Sequence, residues 1–350
     1  MKISFVPKND IPVDPVNRMR CYNVIKGLTN LGCKAAIYKG ERDYNILVVL
    51  SLEFDKWLPI ARENKRNGRL TIFDLSDNEF ERAANITMSK IIGIRKYILY
   101  PKELYIRWQF YKKRKVFDKG LYAFSREADL ITVSSKSIYD SVVPINPNCC
   151  VIPDAIDLDI YKGGKLHQDK DEIYIVWVGM PNNVIFLQQL NSVFCRLQRE
   201  FNLKVRIITS SLVNTLFPSL EKKLKFKFEF IEWDLSTINE RLMEADIGIS
   251  PLEGALWKSA NKIAVYWAVG LPVVVSPSPE YERVVTQGEN GYIARSAGDW
   301  YKFLKELIMN SRLRSELGLK GRDYTEMNFS IQNVAKCWLR LFEGLKRGTN

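Results

Sequence analysis

One order of elements occurs twice in this chain, and it constrains the fold more than any other feature. A short apolar run from Lys2 to Val6 is followed by a polar loop from Pro7 to Asn17 and an amphipathic pattern from about Arg18 to Leu31. The same order restarts at Ile173, where the apolar run to Val178 is closed by Gly179 and a helical pattern covers roughly Val184 to Phe201. Strand, turn and helix in that order open a nucleotide-binding type of α/β unit. Further strands are expected at Lys34 to Tyr38, Ile46 to Leu50, Leu70 to Asp74, Leu130 to Val133 and Cys149 to Ile152 in the first half. In the second half they are expected at Lys204 to Thr209, Phe226 to Ile231, Ile247 to Ser250 and Pro272 to Val275, with helices near Ser236 to Ala245 and Ala260 to Val269 between them. The spacers are long enough for crossover helices, so both sheets are expected to be parallel.

The fold class is therefore α/β with two Rossmann-like domains, residues 1–160 and 170–328, followed by a helical segment 329–350. The stretch after Pro153, with Gly163-Gly164 and many polar residues up to Lys170, has the composition of an interdomain linker. In the last segment Ile331, Val334, Ala335, Trp338, Leu341, Phe342 and Leu345 recur at helical spacing and form one apolar face.

A total of 52 basic against 40 acidic side chains leaves a net charge of +12, which favours an anionic partner. Nucleic acid is not the expected one, because no standard recognition module accompanies the charge. The excess is concentrated between Ser89 and Lys119, where ten Lys or Arg face two acids and are interleaved with Tyr97, Tyr100, Tyr105, Trp108, Phe110 and Tyr111. Such a segment suits an anionic membrane surface; the alternative is a packed helix with a solvated basic face. Six cysteines without a C-x-x-C pair, and the single histidine His167, make neither a zinc centre nor a disulfide framework. The start lacks the pattern of a signal peptide and no apolar stretch approaches a spanning length, so the expectation is a cytoplasmic protein, peripheral on the inner face of the membrane.

From Glu244, the runs E-A-D-I-G-I-S-P-L, K-I-A-V-Y-W-A-V-G-L-P-V-V-V-S and G-E-N-G-Y-I-A resemble the C-terminal half of the family-4 retaining glycosyltransferases of group 1. V-I-P-D-A-I-D at Val151 to Asp157, A-D-L-I-T-V-S-S at Ala128 to Ser135, L-R-S-E-L-G-L-K-G-R from Leu313 and N-R-M-R at Asn17 to Arg20 extend the resemblance. It implies a GT-B enzyme whose two domains face an interdomain cleft. In that arrangement a nucleotide-diphosphate sugar sits on the C-terminal domain, an acceptor sits on the N-terminal one, and the last helix crosses back to the N-terminal domain. It also implies retention of configuration and no metal or other cofactor, the nucleotide sugar being a substrate. The acceptor would be lipid-linked or a polysaccharide in surface-glycan assembly. This chain departs from the family where two glutamates usually stand before the G-x-P turn, because those places hold Trp257 and Val265. A catalytically weak binding protein or partner subunit of another transferase is the alternative reading.

Expelling a diphosphate without a metal requires positive charge at the site. Lys258 and Lys262, four apart at the start of the helix leading to Gly270, lie on one face where the helix dipole is positive, a placement that costs stability unless an anion binds there. They are the candidate catalytic residues, with Glu253 as the replacement for the first missing glutamate; the competing reading is a solvated helix start. Gly179, Asn182 and Asn183 form a turn able to meet phosphate or sugar, or an ordinary helix cap. Trp233 is a candidate to stack on a base or to pack in the core, and Tyr266, Ser276, Glu280 and Glu282 complete the donor candidates near the carboxyl ends of the strands. On the acceptor side the candidates are Arg18 and Arg20, suited to an anionic group, and Asp74 and Asp77 in D-L-S-D; surface charge and N-capping are their alternatives.

Overall fold

Short apolar runs become strands here because both faces of each sheet are covered, so the interior strands β3 (Ile46–Val49), β5 (Leu130–Val133), β10 (Ile247–Ser250) and β11 (Val273–Val275) are buried along their whole length. The computed structural model describes residues 1–80, 101–253 and 258–347. The chain forms two compact units, one of residues 1–152 with 335–350 and one of residues 153–334.

The first unit also contains β1 (Lys2–Val6), α1 (Asn23–Asn30), β2 (Lys34–Ile37), α2 (Phe54–Arg66), β4 (Leu70–Leu75), α3 (Pro101–Glu127), α4 (Lys136–Val142) and β6 (Cys149–Val151). Its sheet has the order β2-β1-β3-β4-β5-β6, with each pair parallel. The loop after β1 is organised by one buried side chain: Asn17 accepts from the Lys8 backbone N–H at 2.7 Å and donates to the carbonyls of Asn9 and Ile11 at 2.8 and 2.9 Å. Asn17 also begins a π-helical turn, Asn17–Tyr22, ahead of α1, where the sequence pattern led us to expect regular helix. In the last helix of the chain, Ile331–Arg347, the residues from Ala335 onward belong to this unit, and Trp338 meets the ring of Phe5 edge-on at 6.0 Å.

The second unit contains β7 (Ile173–Val178), α5 (Asn191–Glu200), β8 (Leu203–Thr209), α6 (Leu212–Leu216), α7 (Leu220–Lys223), β9 (Phe228–Glu232), α8 (Ile238–Glu244), α9 (Asn261–Ala268), α10 (Pro279–Val284), β12 (Tyr292–Ile293), α11 (Ala297–Met309) and α12 (Ser311–Asn328). Its parallel sheet runs β9-β8-β7-β10-β11-β12, the order of a dinucleotide-binding Rossmann domain. The expected single helix from Val184 to Phe201 is two elements. Residues Pro181–Leu190 form a 3-10 helix, because Val184, Leu187 and Leu190 are buried at a spacing of three, the period of that helix, before the spacing lengthens in α5. Strand β12 was not expected from sequence.

Helix α9 is held from its carboxyl end. Gly270 follows it in the left-handed region, φ 82°, and closes the turn. The carbonyls of the last turn are met in sequence: Thr325 donates to Ala264 at 3.4 Å, Arg322 to Ala268, the Lys165 N–H to Val269 at 3.4 Å, and His167 Nε2 to Gly270 at 3.2 Å. Gly163 fits against Val269 so closely that a methyl group would stand 2.7 Å from its Cα. His167 thus has a packing role in the linker, and burial lowers its pKa.

Candidate functional site

In the second unit the chain leaves β7 toward β8 on one side and β10 toward β11 on the other, so the crevice outside the carboxyl ends of β7 and β10 is the topological switch point, where ligands of such sheets bind. Three residues converge there. Trp177 is the last buried apolar side chain of β7; the Lys262 ammonium lies over its ring, 4.6 Å from the centroid; and Gly179 sits beneath both. A methyl group at Gly179 would stand 2.7 Å from the Trp177 ring and 3.3 Å from Lys262 Nζ, so glycine is what lets the lysine reach this position. Among the described residues, no carboxylate lies within ion-pairing distance of Lys262. Burial, and then the charge of Lys258, push its pKa down to about 7. The two lysines do not share a helix face as the spacing predicts, because α9 begins only at Asn261 and Lys258 precedes it.

The start of α9 lacks a side-chain cap, as do those of α5, α6, α7 and α8, and differs in this from the three helices that follow it. The helices α10, α11 and α12 are capped by Ser278, Ser296 and Asn310, whose side chains accept backbone N–H groups, and α10 and α11 carry acids in their first turns. Helix α9 has Ala260 as its cap, no side-chain acceptor and no acid in its first turn, and it carries Lys262 there instead. An uncapped helix start that carries an ammonium and no acid is an environment that favours an anion. The cap region is fixed by Ser259, which donates to the buried carboxylate of Asp154 at 2.7 Å.

Other donor candidates divide sharply. Ser276 accepts from the Leu252 N–H at 3.0 Å and so secures the loop after β10. Tyr266 is fully buried; its hydroxyl accepts from the Val178 N–H at 2.7 Å and donates to the Ile249 carbonyl at 3.2 Å, stitching β7 to β10 beneath the crevice. In the ligand-free chain this donor candidate thus braces the two strands. Asn182 is exposed and Asn183 half-buried at the start of the 3-10 helix, and half-buried Trp233 follows β9 with its N–H bonded to Thr209. Glu280 is 1% exposed and accepts from Arg283 at 2.7 Å; Glu282 pairs with Arg295 at 2.7 Å. Both carboxylates have cationic partners, which argues against their meeting sugar hydroxyls. Glu253 is exposed at the edge of residues 254–257, which with Trp257 lie outside the described residues.

Sequence reasoning overlooked Trp177, although a tryptophan two places before the strand-closing glycine is a signal in itself. It also overlooked Thr209, which follows the β7-paired Ile208 and whose buried hydroxyl has no hydrogen-bond partner among the described residues.

In the first unit Arg20 and Asp74 form a buried pair, with Arg20 Nε and Nη2 donating to the two carboxylate oxygens at 2.8 and 2.5 Å. Thr132 donates to the same carboxylate at 2.6 Å and Arg20 Nη1 to the Ile152 carbonyl at 2.8 Å. In the ligand-free chain each of these two acceptor candidates neutralises the other, and together they join the ends of β4, β5 and β6. Arg18 is buried, while Asp77 is half-buried beyond the end of β4. Of the basic aromatic stretch, residues 89–100 and the side chains up to Tyr111 lie outside the described residues; beyond them Lys112, Lys113, Lys115, Val116 and Lys119 are exposed on α3.

Residues 172–310 match the family model described as glycosyl transferases group 1. A comparison with curated proteins finds no match. Among solved structures the chain is similar to HepE of Anabaena in complex with UDP and glucose, at 10% identity and a TM-score of 0.67 over 98% of this chain and 99% of that one. It is also similar to a glycosyltransferase from Rickettsia africae, at 12% identity and a TM-score of 0.63 over 98% of each chain. WaaG, a glycosyltransferase involved in lipopolysaccharide biosynthesis, is matched at 11% identity and a TM-score of 0.61 over 96% of this chain and 98% of that one. The fold is that of the GT-B proteins, two Rossmann-like domains in one chain.

Proposed function

We propose, from the premise that residues 172–310 form a group 1 glycosyltransferase domain, that this enzyme moves a sugar from a nucleotide-diphosphate donor to a lipid-linked or polysaccharide acceptor in surface-glycan biosynthesis. The observation that carries this reading is the Lys262 ammonium, laid on Trp177 over Gly179 at the switch point with no counter-charge among the described residues. Charge that develops on a departing diphosphate is stabilised by donors already in place, so a preformed ammonium beside uncapped helix N–H groups lowers the barrier without reorganisation. Lys258, just before the helix, adds a second positive charge, which supports a transfer that needs no metal. HepE has been crystallised with UDP and with UDP-glucose, which supports a uridine nucleotide as the first donor to test. Retention of configuration follows the family resemblance.

Thermal denaturation with UDP, GDP, ADP and CMP in turn tests the donor: one nucleoside diphosphate is expected to raise Tm in a concentration-dependent way by mass action, and no shift with any of them contradicts the reading. A second reading, a weakly active binding protein of the same fold, is favoured by Val265, which stands where the family has a ribose-binding glutamate and is 7% exposed. Release of sugar from the stabilising nucleotide sugar, followed with enzyme in excess, separates the two.

The exposed lysines of α3 support peripheral attachment to the inner face of the cytoplasmic membrane. No helix among the described residues is long and apolar enough to cross a membrane. The protein is expected to co-sediment with vesicles containing anionic lipid and to dissociate at high salt; equal binding to neutral vesicles contradicts an electrostatic attachment.

A further inference from the structure

One groove of the second unit lies away from the switch point. A groove of about 750 Å³ opens at the opposite, amino-terminal edge of the second sheet, between the end of α5 and the starts of β8 and β9. Half-buried Phe201 and Phe228 line it together with Arg199, Lys204, Lys225 and Lys227, against the single acid Glu229. Glu229 is already engaged by Arg206 at 3.1 Å and by Lys204 at 3.8 Å, whereas Arg199, Lys225 and Lys227 have no carboxylate within ion-pairing distance among the described residues.

The lysines are held on a fixed frame. Between α7 and β9, Leu224 and Phe226 point into the core while Lys225 and Lys227 alternate outward. Three side chains along one face of α5 pin this backbone. Asn191 donates to the Lys223 carbonyl at 3.0 Å and accepts from the Lys225 N–H at 2.8 Å, Cys195 donates to the Lys225 carbonyl at 3.2 Å, and Gln198 bonds both the N–H and the carbonyl of Lys227, at 2.9 and 2.7 Å. Two exposed ammonium groups on an extended segment therefore repeat at about 7 Å or less along one wall, opposite the guanidinium of Arg199. Cations and aromatic rings lining one groove suit a chain that presents negative groups at intervals and apolar ring faces between them.

We infer that this groove binds a segment of acidic glycan, with uronate carboxylates on Arg199, Lys225 and Lys227 and sugar rings against Phe201 and Phe228. The choice of a glycan over another polyanion rests on the glycosyl-transfer reading above; the cationic groove itself does not. The seven residues of β8 separate it from the switch point, roughly 23 Å at the rise of a strand, so it would hold a distal part of a growing polymer rather than the reacting sugar.

The test uses the full chain and fluorescence anisotropy with three labelled probes: a size-defined oligogalacturonate, a neutral malto-oligosaccharide of equal length and a single-stranded oligonucleotide of equal charge. Oligogalacturonate is expected to bind in a salt-sensitive manner, and Lys225→Glu combined with Lys227→Glu is expected to weaken it more than tenfold with UDP affinity unchanged. Undiminished binding to the double variant, or equal binding of the neutral probe, overturns the assignment, and tighter binding of the oligonucleotide overturns it in favour of a nucleic-acid surface. Because UDP binding is measured on the same samples, failure of the donor reading shows independently of failure at the groove.

Discussion

Lys262→Met is expected to weaken nucleoside diphosphate binding by about tenfold to a hundredfold, the worth of a charged hydrogen bond, while raising the Tm of the ligand-free protein. The two effects share one cause. In the absence of ligand the ammonium of half-buried Lys262 rests on the face of Trp177, without a carboxylate within ion-pairing distance among the described residues, and Lys258 repels it. Methionine keeps the apolar stem and a favourable contact with the ring and removes the charge. The sign with pH follows from linkage. Because the folded pKa is near 7 and the ordinary lysine value is 10.5, the unfolded chain binds more protons between those limits. Stability of the ligand-free wild type therefore rises with pH across that window, and this contribution is missing from the variant. Diphosphate affinity runs the other way, falling as pH climbs above about 7 and the ammonium is lost. Titration calorimetry and thermal melts from pH 6 to 9 measure both. Unchanged affinity in the variant removes Lys262 from the site.

Much of the frame was legible because its strands are largely buried on both faces: β1, β5, β7 and β10 read as predominantly apolar runs and occur where expected. Strand β12 escaped because two residues carry no pattern, and it exists only through pairing with β11. The helix after Gly179 was read with one period because a spacing of three and a spacing of three to four coincide over a short run. Among the candidate residues, Lys262 was legible as a cation in the first turn of a helix, whereas Lys258, expected on the same helix face, precedes the helix, which begins at Asn261. The platform under Lys262 was not legible, since the contact between Trp177 and Lys262 joins elements far apart in the chain. The same limit explains Glu280, whose burial depends on how α10 packs, and Tyr266, whose hydroxyl bonds depend on the neighbouring strands. Residue type located these groups near the carboxyl edge of the sheet; only the tertiary partners decide which of them remain free to meet a ligand.

Asp74→Ala is expected to destabilise the first unit by about 3 to 5 kcal/mol, the usual consequence of leaving a buried charge without its partner. Arg20 is 2% exposed and would keep its bond to the Ile152 carbonyl while losing both bonds to the carboxylate; Thr132 would lose its acceptor as well. Arg20→Met alone strands the opposite charge and is expected to cost a similar amount. The double replacement Arg20→Met with Asp74→Leu leaves no charge behind, so it is expected to recover most of the loss, because a buried ion pair contributes little beyond an apolar pair of similar volume. Urea unfolding of the three variants measures this coupling. Acceptor binding by the same residues makes a different forecast: each single variant would fold normally and lose acceptor affinity, and the double variant would be the worst of the three. Wild-type stability in Asp74→Ala would therefore return Arg20 and Asp74 to the acceptor site, whereas a loss relieved by the second replacement makes them the clasp that holds the ends of β4, β5 and β6 in register.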